Sequence, residues 1–335
     1  MSTPQGADLP DLAELARWTP IRIDLGGGEA TVTWGDLQGV RFEEPFFGQT
    51  VRRWTEGSNP RRTLRTGIAA LPVLDSLGES LEPAGFLFHI SRCGSTLASR
   101  LLAKVPGVVV ISEADPVNAL LEAEGEEVEP QAIVAALRFV LRALGRRRFG
   151  DERRLFVKFS SWNVRRLALL RAAFPDVPWI WLYREPDAVL ASLQRQPPGW
   201  MALQRAPDRA RALLGVEQAE TLTSADFRAE AVAGFCRAAL DAGDRFRRFI
   251  RYDDLPAAVW QVIADDFGLA LTATDLAEMR SEARFYAKTP GQQLFQGDPV
   301  GDAQGGMGAE TVSTVRLGRL RDLAAEMEVR RWKSP

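Results

Sequence analysis

The stretch GFLFHISRCGSTLASRLL, residues 85–102, limits the fold more than any other part of the chain. A continuous apolar run stops at a short polar loop with one glycine, and an amphipathic pattern begins directly after it. Unbroken apolar runs suit strands buried on both faces of a parallel sheet, and the segment that follows suits a helix packed back on it. Such a junction presents backbone N–H groups at a helix N-terminus, where unpaired donors and the helix dipole favour an anion. Ser95 and Thr96 add hydroxyls, Arg92 adds charge, Gly94 permits close approach of the backbone, and Cys93 is a small filler. An ordinary strand-to-helix turn with a Ser/Thr start would carry the same residue types.

The pattern continues beyond the loop. Strands are expected at 85–90, 108–112, 154–159 and 179–183, and helices at 95–104, 116–123, 130–145, 162–173 and 186–194. After residue 200 the chain reads as helical, except that RRFIRYDDL reads as one more strand and turn. The expected fold is therefore α/β, a P-loop-like three-layer α/β/α domain with a central parallel sheet over residues 84–335 and a helical C-terminal part. Residues 1–83, with one alternating piece, ATVTWGDL, and the aromatic patch FEEPFFGQTVRRW, are expected to form an irregular arm packed on it. The basic run GRRRFGDERR, 145–154, reads as a solvated turn.

Composition narrows the function. A formal charge of −2 over 335 residues argues against coating a nucleic acid polymer through bulk charge. Two cysteines, Cys93 and Cys236, cannot build a disulfide framework, and the N-terminus lacks a signal-peptide pattern. With no apolar run long enough to span a membrane, a cytoplasmic protein is expected. Only Lys104, Lys158, Lys288 and Lys333 are lysines among 42 basic residues, so a lysine at a special position needs its own explanation.

Against the triphosphate loop G-x-x-x-x-G-K-[ST], His89 holds the place of the first glycine and Ser95 that of the lysine. Without the lysine that reaches the β- and γ-phosphates, a P-loop-type small-molecule kinase is the weaker alternative. A non-catalytic nucleotide or anion sensor is another.

Three segments taken together resemble a known family. RCGSTL resembles the R-S-G-T-T-L loop of sulfotransferases that use 3′-phosphoadenosine 5′-phosphosulfate (PAPS), most closely the protein-tyrosine sulfotransferases. WLYREPDAVLASL, 181–193, is similar to the family's second motif, in which a strand ends in Arg and a Ser follows eight positions later, matching Arg184 and Ser192. RYDDL, 251–255, resembles a later R-Y-E-D-L segment. The matches run from about residue 85 to 257, roughly half the chain, and imply a sulfotransferase-like fold, PAPS as co-substrate and no required metal.

The resemblance also implies roles. Residues 92–96, namely Arg92, Cys93, Gly94, Ser95 and Thr96, would hold the 5′-phosphosulfate, and Arg184 with Ser192 the 3′-phosphate. An arginine fork plus a hydroxyl suits a phosphate monoester on chemical grounds alone. Glu113, at the end of VVVIS and matching the family's Gly-Glu-Glu position, would be the general base. Partial burial there is expected to raise its pKa toward neutrality. Asp115 is expected to cap the next helix, leaving Glu113 free. Lys158, ending LFVK at the place of the family's N-K-D-P lysine, would stabilise the leaving oxygen together with Arg92.

The cytosolic members' histidine, two residues after a strand-end lysine, is absent, and His89, the only histidine, is expected in the core. Lys288 lies in a Gly/Pro-rich loop suited to closing over the nucleotide, and Trp162 either stacks on adenine or packs in the core. The family's late K-G-x-x-G segment is not recognisable. The resemblance implies an acceptor hydroxyl on a small molecule or a peptide.

Overall fold

The computed structural model describes residues 11–26, 28–57, 62–123, 128–243, 247–285 and 311–332. Near the N-terminus β1 (Thr19–Asp24), β2 (Thr31–Gly35) and β3 (Thr63–Gly67) pair antiparallel in that order. The segment expected to be irregular thus holds a regular meander. Only β2 alternates cleanly, turning Val32 and Trp34 inward. β1 carries Pro20 and a register break between Pro20 and Arg22, and β3 has almost no apolar content, so neither shows a strand pattern.

Arg146 fastens this layer to the rest. Its buried guanidinium donates to the carbonyls of Leu15, Trp18 and Leu74 at 3.2, 2.8 and 3.1 Å, and burial lowers its pKa to about 10. The run 145–154 is accordingly not a solvated turn. Arg146, Arg148 and Glu152 point inward, and the Glu152 carboxylate accepts from the backbone N–H groups of Arg148, Phe149 and Gly150. Alternation of inward and outward residues hides in a run of like charges.

The main sheet follows from the apolar runs. β4 (Pro83–His89), β5 (Val108–Ser112), β6 (Arg154–Lys158), β7 (Trp179–Tyr183) and β8 (Arg247–Arg251) are all parallel, in the order β5-β6-β4-β7-β8. All five residues of β7 are buried, as a strand covered on both faces requires. Phe88 stacks on Phe159 at 4.7 Å and meets Trp179 edge-on at 5.7 Å, packing the centre of the sheet. Winding reverses about β4, because the chain leaves it toward β5 on one side and returns after β6 to β7 on the other. Ligands of such sheets gather at the carboxyl ends of the strands near that reversal.

Helices Ser95–Leu102, Asp115–Glu122, Pro130–Leu144 and Pro186–Arg195 lie where the apolar periodicity places them. The segment expected as one helix at 162–173 is a 3-10 helix, Ser161–Arg166, followed by the α-helix Leu167–Ala173. The C-terminal part is helical, with Thr314–Val329 packed on Ser224–Asp241. Glu328 ties that last helix to the sheet by accepting from Tyr183 Oη at 2.7 Å and Arg251 at 3.2 Å. Among the described residues no helix is long and apolar enough to cross a membrane.

Candidate active site

The loop after β4 is held in an uncommon conformation. Ser91 has φ 83°, Arg92 φ 53° and Gly94 φ 80°. Left-handed backbone costs a non-glycine residue roughly 1–2 kcal/mol, so the surroundings must hold it. They do: the Ser91 N–H donates to His89 Nδ1 at 3.0 Å, and the Cys93 thiol donates to the Leu182 carbonyl at 3.1 Å. Gly94 answers to packing as much as to a ligand, since a Cβ there would meet Leu255 Cδ1 at 2.6 Å and Tyr252 Cδ2 at 3.0 Å. The helix then starts at Ser95 with no side-chain cap, leaving its first N–H groups to the loop's concave side.

Below the loop opens a cavity of about 400 Å³ at the carboxyl ends of β4, β5 and β6. Ser91, Arg92, Ser95 and Thr96 form one wall and His89 with Glu113 the floor. Ser160, Ser161 and Trp162 form another wall, and Phe46 and Trp200 close the rim. Glu113 also has positive φ, 53°. Three of the four non-glycine residues with positive φ among those described therefore lie at this one cavity. Concentrated strain of this kind marks functional geometry.

Register explains the central pair. Ser112 of β5 lies beside Lys158 of β6, so the next residue, Glu113, turns over the end of β6 and donates its N–H to the Lys158 carbonyl at 2.7 Å. Its side chain forms an ion pair with the Lys158 ammonium, and His89 Nε2 stands 3.5 Å from the same carboxylate oxygen. Lys158 is 1% exposed, with its ammonium 4.9 Å from the centre of the Phe46 ring. Lys158 therefore ends its strand without reaching solvent. Because Nδ1 of His89 accepts from Ser91, the ring proton belongs on Nε2, facing Glu113.

This pairing corrects the expectation for Glu113. Burial by itself would raise its pKa, but the Lys158 ammonium and His89 together hold the carboxyl well below the usual carboxylate range. Glu113 is therefore ionised, ready to accept a proton, but weakly basic while Lys158 holds it. Nor does Asp115 cap the next helix: Ala114 occupies the N-cap and Asp115 is the first helical residue.

The remaining candidates are placed less centrally. Arg92 lines the cavity, but its guanidinium donates to Gln196 Oε1 at 2.9 Å and to the Gln196 carbonyl at 2.7 Å. The Cys93 thiol faces the core, which leaves only its backbone for a ligand. Arg184 stacks on Tyr252 at 4.1 Å and reaches the Arg92 carbonyl at 3.5 Å, beside the loop but outside the cavity lining. Glu185 and Asp187, its sequence neighbours, pair instead with Arg251 and Arg321. Ser192, half-exposed on Pro186–Arg195, also lies outside the lining. Lys288 lies outside the described residues.

Trp162 is both buried and part of the wall, and His89 is buried yet forms the floor. Strand position assigned His89 to the core; the overlooked signal was that it is the last residue of β4, where side chains leave the sheet. Phe46, from the N-terminal segment, carried no signal. Among the described residues no group of three His, Cys, Asp or Glu side chains is arranged to hold a metal ion.

No family model matches the chain, and no curated protein does. Among solved structures, it is similar to the sulfotransferase STF9 from Mycobacterium avium, at 14% identity over 64% of this chain and 69% of that one, with a TM-score of 0.38. The sulfotransferase STF1 from Mycobacterium tuberculosis H37Rv is similar at 15% identity over 62% and 73%, with a TM-score of 0.39. The sulfotransferase domain from the curacin biosynthetic pathway is similar at 17% identity over 77% and 94%, with a TM-score of 0.36. Each is a distant likeness, and the roles of the cavity's residues rest on this chain's own geometry.

Proposed function

We propose that this chain is a sulfotransferase that carries a sulfuryl group from PAPS to an acceptor hydroxyl. The observation that carries the reading is the ion pair of buried Lys158 with Glu113, which opens on one cavity shared with a strained anion loop. The residues fit the donor's phosphosulfate end: a helix start with no side-chain cap, two hydroxyls from Ser95 and Thr96, and a buried lysine paired with Glu113 of the cavity lining. When bound, PAPS supplies the sulfuryl group: the acceptor oxygen bonds to sulfur, the bond from sulfur to the bridging oxygen breaks, and the electron pair stays with the phosphate.

The chain's own part is positioning and charge. Residues 92–96 hold oxyanions, with Arg92 adding its cation from the Gln196 side. Lys158 is a compact ammonium that can shift from Glu113 toward developing negative charge. As it does so, Glu113 loses the partner that depresses its basicity and becomes the stronger base for the acceptor proton. His89 keeps the carboxylate oriented. Arg184, on its Tyr252 platform, and Ser192 are assigned to the 3′-phosphate. Phe46, Trp162 and Trp200 shape the room left for an acceptor, which is a small molecule or a peptide side chain.

The test is transfer of radiolabelled sulfuryl from PAPS to a panel of phenols, alcohols, sugars and tyrosine peptides. Labelled product that disappears with Glu113→Gln supports the reading. No product with any acceptor, together with no slow hydrolysis of the donor, contradicts it.

A further inference from the structure

A second cavity, of about 430 Å³, opens at the other end of the sheet. It is bounded by Val108 and Val109, which start β5, and by Ala103 and Lys104, which follow the helix Ser95–Leu102. Five residues of β5 at about 3.3 Å each put it roughly 15 Å from the Glu113 end. The two cavities share no lining residue.

Two charged residues of its lining are more than nine-tenths buried, Glu152 at 3% exposure and Arg148 at 8%. The guanidinium lies 4.3 Å from the Phe42 ring and touches the Leu144 carbonyl at 3.4 Å, while its Nε meets no acceptor among the described residues. Glu152 opposes that charge from nearby, but its carboxylate accepts from three backbone N–H groups of the turn 148–150 rather than from the guanidinium. Burial lowers the Arg148 pKa to about 10, which leaves it a cation at neutral pH. Arg100 and Lys104 share the single carboxylate of Glu282, and Arg41 reaches Asp151 while covering Phe149 at 3.9 Å. Glu43 also lines the cavity. The lining thus carries four cations, Arg41, Arg100, Lys104 and Arg148, against the carboxylates of Glu43 and Glu152, and a buried guanidinium nitrogen left without an acceptor is costly unless a ligand supplies one.

We propose that this cavity is a second binding site, for a small organic oxyanion whose charged end meets Arg148 and whose apolar body lies between Phe42 and Phe149. Its volume falls in the range of small-molecule sites and far exceeds a single inorganic ion. The site is independent of the chemistry assigned to the Glu113 cavity.

Calorimetric titration of the full chain with 1-naphthyl phosphate and 1-naphthoate distinguishes phosphate from carboxylate as the recognised group, with neutral 1-naphthol as control. One of the anions is expected to bind, the naphthol at least tenfold more weakly. Arg148→Gln is expected to weaken that binding at least tenfold and Lys104→Glu severalfold, with Ser95→Ala leaving it unchanged. Near-UV circular dichroism checks that Arg148→Gln is folded; if it is not, the exposed Lys104→Glu variant decides alone. The proposal is overturned if neither anion binds, if naphthol binds equally well, or if folded Arg148→Gln, or Lys104→Glu standing alone, binds like the parent chain. It is equally overturned if binding is lost in Ser95→Ala, which would place the probe at the other cavity.

Discussion

The carboxyl ends of β5 and β6 differ sharply from those of β7 and β8. On the first side a buried ammonium meets a carboxylate that is partly open to a cavity, with His89 against them. On the second side the residues at the strand ends are fixed to neighbours, Arg184 over Tyr252 and Arg251 among Glu185, Asp253 and Glu328. The difference teaches a division of labour. The β5–β6 end has a charge pair that a reacting group can rearrange, whereas the β7–β8 end is a rigid platform suited to holding.

The largest effect expected from this division is at Lys158. Lys158→Ala should lower sulfuryl transfer roughly 10²–10³-fold, because the charge on the leaving oxygen loses its ammonium. Steady-state rates against donor concentration should show the loss in kcat. Glu113→Gln comes next, with turnover down about 100-fold and affinity for adenosine 3′,5′-bisphosphate nearly unchanged. Unchanged turnover would remove Glu113 from the mechanism.

Arg184→Ala should show the opposite split. Bisphosphate affinity falls about tenfold, as expected for a hydrogen bond to a charged group, while kcat at saturating donor is nearly kept. A kcat loss as large as that of Lys158→Ala would erase the contrast between the two ends.

The smallest effect is on stability against pH. Glu113 is held below its ordinary value of 4.5, so the stabilisation it contributes is complete above that value and is lost as pH falls through the lowered folded-state pKa. Acid unfolding of Glu113→Gln, followed by circular dichroism, should therefore depend less steeply on pH below about 4.5 than that of the parent. Equal steepness would mean that the pair is not formed in the folded chain.

Much of the sheet was legible because its strands are unbroken apolar runs: VVVIS and WIWLY begin and end where their hydrophobicity does. The small N-terminal sheet was not, since β3 buries none of its residues fully and β1 is interrupted at Pro20. Arg146 and Arg148 were misread because burial of a guanidinium depends on carbonyls and rings far away in sequence, such as Leu15, Trp18 and Phe42. At the candidate site, the loop and Glu113 could be read from residue types at strand ends. The sign of the Glu113 shift could not, because it depends on the β5–β6 register that sets Lys158 beside it. His89 reaches the cavity from the end of β4, whereas Phe46 enters it through geometry that no local pattern encodes.

The most direct measurement is a calorimetric titration of the purified chain with adenosine 3′,5′-bisphosphate, beside ADP with magnesium. Tight binding of the bisphosphate at one site, weakened about tenfold in Arg184→Ala, is the expected result. Preference for ADP with magnesium, or no binding of the bisphosphate, would contradict the sulfotransferase reading and return the anion loop to another chemistry.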